Sequence, residues 1–278
     1  MVSRLTGAAV RSLLVMLAIA TPTVLLGDVS TDSQQVVALV ALCAGVLTFV
    51  EYNSAFPSLV EFRDAPPFNR LRFGMLFLTL FCLSAIERGR IAPTTMTELI
   101  HAIGALIGMS MDFPYSPVRL ATFMMASGGT EAQMGAVRTA AGMAYLISLL
   151  SLTIFVIIVK LGGWPRKGAP FNVWVNLPTF DPTSGGDVVA RLTRDARVNI
   201  AIGFLLPFLT PAVVFIAKSG FQPLNATSPQ TLIWTMTLWA FLPASLFMRG
   251  IAMGRVADMI RERREIAQAV PALVPQPA

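Results

Sequence analysis

Residues 95–127 read TMTELIHAIGALIGMSMDFPYSPVRLATFMMAS. The stretch is apolar enough to enter a membrane, yet Asp112, Pro114 and Pro117 break it midway. Neither half reaches the roughly 20 residues that a spanning helix needs. Whether it crosses sets the orientation of every later segment. If it does not cross, six spans place 16 of the 21 Lys and Arg residues on the inner side. Only Arg88, Arg90, Arg119, Arg138 and Lys218 then remain outside. If its first half crosses, the balance reverses to 8 inside and 13 outside. Cytoplasmic loops carry the excess of basic residues, so the first arrangement is expected. Residues 95–127 then form a re-entrant or interfacial helical hairpin on the outer face. Broken backbone at membrane depth must be covered by protein, so the hairpin should pack among the spans.

The composition sets the class. Of 278 residues, 55% are hydrophobic and 13% charged, against about 25% charged in soluble domains. Long apolar runs with few ionisable groups describe an all-α, polytopic helical membrane protein. The short alternating segments of a barrel are missing from the sequence. The net charge of +6 is read as loop charge that orients the chain, and no nucleic-acid partner is expected. Cys43 and Cys82 lie inside apolar runs and are read as packing residues.

The six spans are expected at about 12–27, 35–50, 71–86, 139–160, 198–217 and 231–248, within a membrane domain of residues 12–248. Residues 1–11 form a cytoplasmic N-terminus with Arg4 and Arg11. The first apolar run continues past the cleavage-like Ala18-Ile19-Ala20 and is read as an uncleaved span. Residues 249–278 form a basic helix and a Pro-rich tail, so both termini are cytoplasmic. Residues 187–198 have the spacing of an amphipathic helix that leads into the fifth span. The centre of the 165–197 connection suggests a short hairpin or surface loop, with SGGD as a turn. Asn225-Ala226-Thr227 matches a glycosylation sequon.

The loop EYNSAFPSLVEFRDAPPFNRLR, residues 51–72, mixes aromatics, prolines and both charges. A disordered linker would be poor in aromatics, so this loop should be ordered. Phe62, Arg63, Asp64, Phe68 and Arg70 are its candidate contacts with headgroups or a partner. In the hairpin, His101 precedes Gly104 and Gly108, whose GxxxG spacing suits close helix packing. Pro207 and Pro211 invite a kink in the fifth span, and with the hairpin they are a candidate ligand path.

Chemistry is thinly represented. His101 is the only histidine, which excludes a bis-histidine haem or a three-histidine zinc site within the chain. Seven of 14 methionines fall between Met96 and Met143. Packing by an adaptable side chain accounts for them, and neither metal nor cofactor is expected. Neither HExxH nor GxSxG is present. Glu51, Glu61 and Asp64 are the carboxylates from which inner-face lipid chemistry would have to be built. Glu51 and Glu87 stand at span ends, where they should reach the interface.

These features point first to a non-catalytic accessory or assembly subunit, with the bilayer and a membrane-protein partner or second copy as its contacts. A carrier for a small or amphipathic molecule is the alternative, and a headgroup enzyme the third reading. The expected location is the cell membrane, in the style of a bacterial inner membrane. With Ser184→Cys in a background lacking Cys43 and Cys82, an impermeant thiol reagent should label only after lysis. Labelling of intact cells would reverse the topology.

Overall fold

The computed structural model describes residues 2–27, 29–126, 129–165, 171–181, 183–218 and 228–269. Arg166, Lys167, the sequon at Asn225 and the tail after Ala269 lie outside them. Nine helices occur among the described residues, with no strand. They are α1 (Val2–Leu26), α2 (Thr31–Asn53), α3 (Phe68–Gly89), α4 (Thr95–Ser110) and α5 (Pro117–Ala126). The remaining four are α6 (Glu131–Leu161), α7 (Val173–Asn176), α8 (Val188–Lys218) and α9 (Pro229–Ala269). Six of them, α1, α2, α3, α6, α8 and α9, are long and apolar enough to cross a membrane. Leucines, valines and phenylalanines line their outward faces, including Leu39, Leu47, Leu78, Ile157 and Phe204. On a soluble protein such a girdle would be an aggregation surface; here it suits hydrocarbon.

Every span begins earlier than its apolar core suggests. The fourth, expected from residue 139, starts at Glu131, where Thr130 and Gln133 make a reciprocal capping box. The amphipathic 187–198 segment is the first part of α8 rather than a separate element, and α9 runs on through the basic region to Ala269. A polar first or last turn extends a helix beyond the hydrocarbon without breaking its hydrogen bonds. Among the described residues, the centre of the 165–197 connection holds the single turn α7 and no strand hairpin. Asn172 caps α7 by accepting from the N–H groups of Trp174 and Val175.

The chain alternates between two ends of the bundle. The Arg4 side chain donates to the Ser54 carbonyl at 2.6 Å. Arg255 donates to the Trp164 carbonyl at 3.3 Å, and Arg264 pairs with Asp187 at 2.6 Å. The start of α1, the 54–67 loop, the described residues of the 162–187 connection and the far part of α9 therefore share one end, the loop end. At the opposite end Arg88 reaches the Leu25 carbonyl, and Gln230 donates to Thr23.

Residues 95–126 do form two helices joined by a break at 111–116. At 16 and 10 residues, they are about 24 and 15 Å long. The Thr94–Thr97 capping box starts α4. Gly104 and Gly108 are buried against α6, as the GxxxG spacing implies. A Cβ on Gly142 of α6 would collide with the Gly108 backbone, and one on Gly108 would lie 2.5 Å from the Arg138 carbonyl. The break is held by Asp112, which pairs with Arg119 at 2.7 Å and Arg138 at 3.2 Å. Burial alone would raise the Asp112 carboxyl, but bonds and charge from both arginines outweigh it and hold it below its usual range.

The α8–α9 pair is built around prolines. Pro211 has no N–H, so the Pro207 carbonyl four residues earlier loses its helical partner. The Trp239 indole of α9 donates to that oxygen at 3.2 Å. A Cβ on Gly203 would lie 2.9 Å from the Pro243 carbonyl, and one on Gly250 2.7 Å from that of Ala196. The prolines and small residues thus serve close helix approach. By contrast, α2 packs on α1, and only 11% of its apolar window is buried.

Gly142→Leu should force α4 away from α6 and destabilise the chain by about 1–3 kcal/mol, the usual cost of overpacking. Thermal unfolding in detergent and faster proteolysis between residues 95 and 126 would report it. A wild-type melting curve would show that the glycine contact carries little.

Candidate ligand-binding site at the loop end

The 54–67 loop is folded onto the 162–181 connection through its backbone. Phe62 has φ 52°, a left-handed conformation unusual for a bulky residue. Its N–H donates to the Asn176 carbonyl at 2.6 Å. The Asn176 side-chain oxygen accepts from the Asp64 N–H at 3.1 Å, so one buried asparagine holds both sides of the turn. The Trp164 indole donates to the Ala65 carbonyl at 3.1 Å. Beneath them Phe62 packs on Phe68, Trp164 and Phe171 with ring centroids 4.5, 5.6 and 6.4 Å away. Phe155 completes the cluster.

This arrangement corrects the reading of Phe62 and Phe68 as surface contacts. Both are fully buried inside the chain. Aromatics in a polar loop look alike in sequence whether they face a partner or their own core. Arg63 is also internal. It pairs with Asp64 at 3.1 Å and donates to the Glu51 and Ser54 carbonyls at 3.1 and 2.7 Å. Only Asp64 and Arg70 of the five candidates are exposed.

The carboxylates are similarly committed. Glu51 accepts from the N–H groups of Ser58, Leu59 and Val60 and from the Ser58 hydroxyl, replacing the ladder that the loop lacks. Glu61 pairs with Arg249 through both oxygens, at 2.6 and 2.8 Å, and accepts from the Thr179 hydroxyl at 2.5 Å. That fork joins the loop, the connection and α9 across 188 residues of sequence. No local spacing announces it. Glu51 and Glu87, expected at exposed span ends, are both buried within the chain. Glu87 is paired with Arg90 at 3.1 Å through one oxygen, while its other oxygen has no hydrogen-bond partner among the described residues.

The residues chosen as a ligand path do not converge. His101 is exposed on α4, while Gly104 and Gly108 face α6. Pro207 and Pro211 are buried in α8. The small apolar cavity nearest to them, about 190 Å³, lies between α5, α8 and α9 and is lined by Met124, Thr210, Trp239 and Pro243. The methionines divide between core positions such as Met124, Met125 and Met143 and exposed ones such as Met96 and Met109. Among the described residues, no three His, Cys, Asp or Glu side chains are grouped to hold a metal. Cys82 is buried, whereas Cys43 is exposed on α2, contrary to the packing role read for it.

A larger cavity of about 630 Å³ lies between α1, the end of α2, the 54–67 loop and the start of α3. This volume is in the usual range for a small-molecule pocket. Its lining is mixed: Val10, Leu14 and Val15 of α1 and Phe73 of α3 are apolar, while Arg11 of α1, Arg63 of the loop and Asn69 and Arg70 of α3 are polar. Asp64 offsets Arg63. Arg11 lies 4.7 Å from the centre of the Tyr52 ring and donates to the Gly7 carbonyl. Neither Arg11 nor Arg70 meets a carboxylate among the described residues. The cavity therefore combines apolar lining with two arginines that meet no carboxylate among the described residues. Arg70 was among the sequence candidates; Arg11 was read only as an orienting charge.

The chain is a multi-pass helical membrane protein with an amphipathic, cationic cavity at its loop end. No protein-family model, curated protein or solved structure matches it.

Removing the fork should loosen this end. Glu61→Gln should cost about 2–4 kcal/mol, the lower range for breaking a buried pair, because Arg249 keeps 28% exposure. Trypsin should then cut after Arg63, which the wild type protects. Unchanged digestion would mean that Asn176 and Trp164 hold the loop without the ion pair.

Proposed function

We propose that this is a membrane-embedded binding protein for an anionic amphiphile, within the carrier class of reading. The observation that supports it is the 630 Å³ cavity lined both by apolar side chains and by Arg11 and Arg70, which meet no carboxylate among the described residues. Guanidinium groups recognise phosphate and carboxylate by paired hydrogen bonds, and the apolar lining suits an acyl chain. The headgroup-enzyme reading loses support because Glu51, Glu61 and Asp64 are all engaged in internal bonds.

The accessory-subunit reading has one observation of its own. The outer face of α2 is left uncovered by the rest of the chain, which suits a membrane-protein partner or second copy as well as lipid. In either reading the loop end faces the cytoplasm, by the distribution of basic residues, and the α4–α5 pair sits at the outer interface. A bacterial inner membrane is the proposed location.

The full chain in mild detergent, titrated with phosphatidylglycerol and followed by native mass spectrometry, tests the binding role. Arg11→Gln with Arg70→Gln should remove one bound lipid from the mass distribution, its site weakened about tenfold or more, as expected for loss of charge-assisted hydrogen bonds. Phosphatidylcholine should bind weakly to both forms. The same number of bound lipids on wild type and double variant across the titration would reject the cavity as a site. A stoichiometric protein partner on purification would favour the accessory role.

A further inference from the structure

A second cavity, about 330 Å³, lies on the other side of the same loop, between it, the start of α3 and the facing parts of α8 and α9. It shares no lining residue with the first. Arg72, from the second turn of α3, lines it. The guanidinium lies 5.3 Å from the Phe68 ring and 5.8 Å from that of Phe241. Its only hydrogen bond among the described residues runs from Nε to the Ser245 hydroxyl at 3.4 Å. Its two terminal nitrogens have no protein partner there.

The neighbouring carboxylate does not neutralise it. Glu61 lines the same cavity but is bonded through both oxygens to Arg249 and accepts from Thr179. Two arginines thus face one carboxylate, which leaves one net positive charge. A cation removed from water without a counter-charge is costly. The free donors form the planar fork that matches an oxyanion, and the Ser245 hydroxyl stands beside them.

The remaining wall identifies the source of the anion. Leu59 and Leu242 are 66% and 50% exposed, and Leu206 and Leu246 stand with them. The cavity therefore opens among side chains of α8 and α9 that suit hydrocarbon, along which acyl chains can lie. We infer that Arg72, with Ser245, binds the phosphate of a lipid with one net negative charge, whose acyl chains lie along Leu206 and Leu242. This site is distinct from the one under the proposed function and does not depend on it.

The test uses the full chain carrying Arg11→Gln and Arg70→Gln, so that the first cavity does not contribute. In native mass spectrometry this background should still retain phosphatidylglycerol. Adding Arg72→Gln should weaken that binding at least tenfold, while Arg72→Lys, which keeps the charge but not the planar fork, should lose less than Arg72→Gln and not recover the arginine level. Leu206→Phe with Leu242→Phe fills the cavity without touching a charge and should also abolish retention. It carries the test if Arg72→Gln fails to fold by circular dichroism. Phosphatidylcholine should not replace the lipid, and inorganic phosphate should not displace it. Retention by the filled-cavity variant, or equal binding of phosphatidylcholine, would overturn the assignment. Displacement by inorganic phosphate would assign the site to the free anion and overturn its lipid form.

Discussion

A polar backbone group near hydrocarbon has no water to bond to, and this constraint shapes the whole chain. The six long helices meet it along most of their length. Where they cannot, a side chain takes over. The oxygen released by Pro211 receives the Trp239 indole of the next helix. The three N–H groups of residues 58–60 converge on Glu51. Asn176 supplies an acceptor on each side of the turn at Phe62. Each of these replacement bonds joins one element to another that is distant in sequence or differently folded. Backbone satisfaction thereby becomes tertiary structure.

At the loop end the same bonding governs charge. Ion pairs and carbonyls absorb Arg63 and Arg249 and hold the loop against α9. Once those bonds are made, Glu51 and Glu61 of the loop are committed. Arg11 and Arg70 remain unpaired on one side of the loop and Arg72 on the other, each lining a cavity that also has apolar lining. A rigid loop with cations left over on both faces is suited to holding anionic lipid or a related amphiphile.

Much of this was legible in the sequence. The spans could be placed because a run of apolar side chains adds up locally. Their first turns were missed because a helix needs no apolar residues once it leaves the hydrocarbon. The GxxxG of Gly104 and Gly108 signalled close packing correctly, since only small residues permit backbones to approach so nearly. Phe62 and Phe68 were misplaced because aromatic content shows that a loop is ordered but not which surface it meets. Pro207 and Pro211 suggested a kink beside a ligand path; they mark a tight helix pair whose freed carbonyl is answered from α9.

By itself the sequence determined that this chain is an all-helical membrane protein with six apolar helices and a broken 95–127 segment between the third and fourth. Hydropathy and helix-breaking residues act locally, so they can be read along one dimension. Tertiary structure alone decided which charges are neutralised and which are not. Glu61 could pair with several nearby arginines, and only folding brings Arg249 to it across 188 residues. That choice leaves Arg72 without a carboxylate, because a bidentate partner satisfies both oxygens of the one acid available.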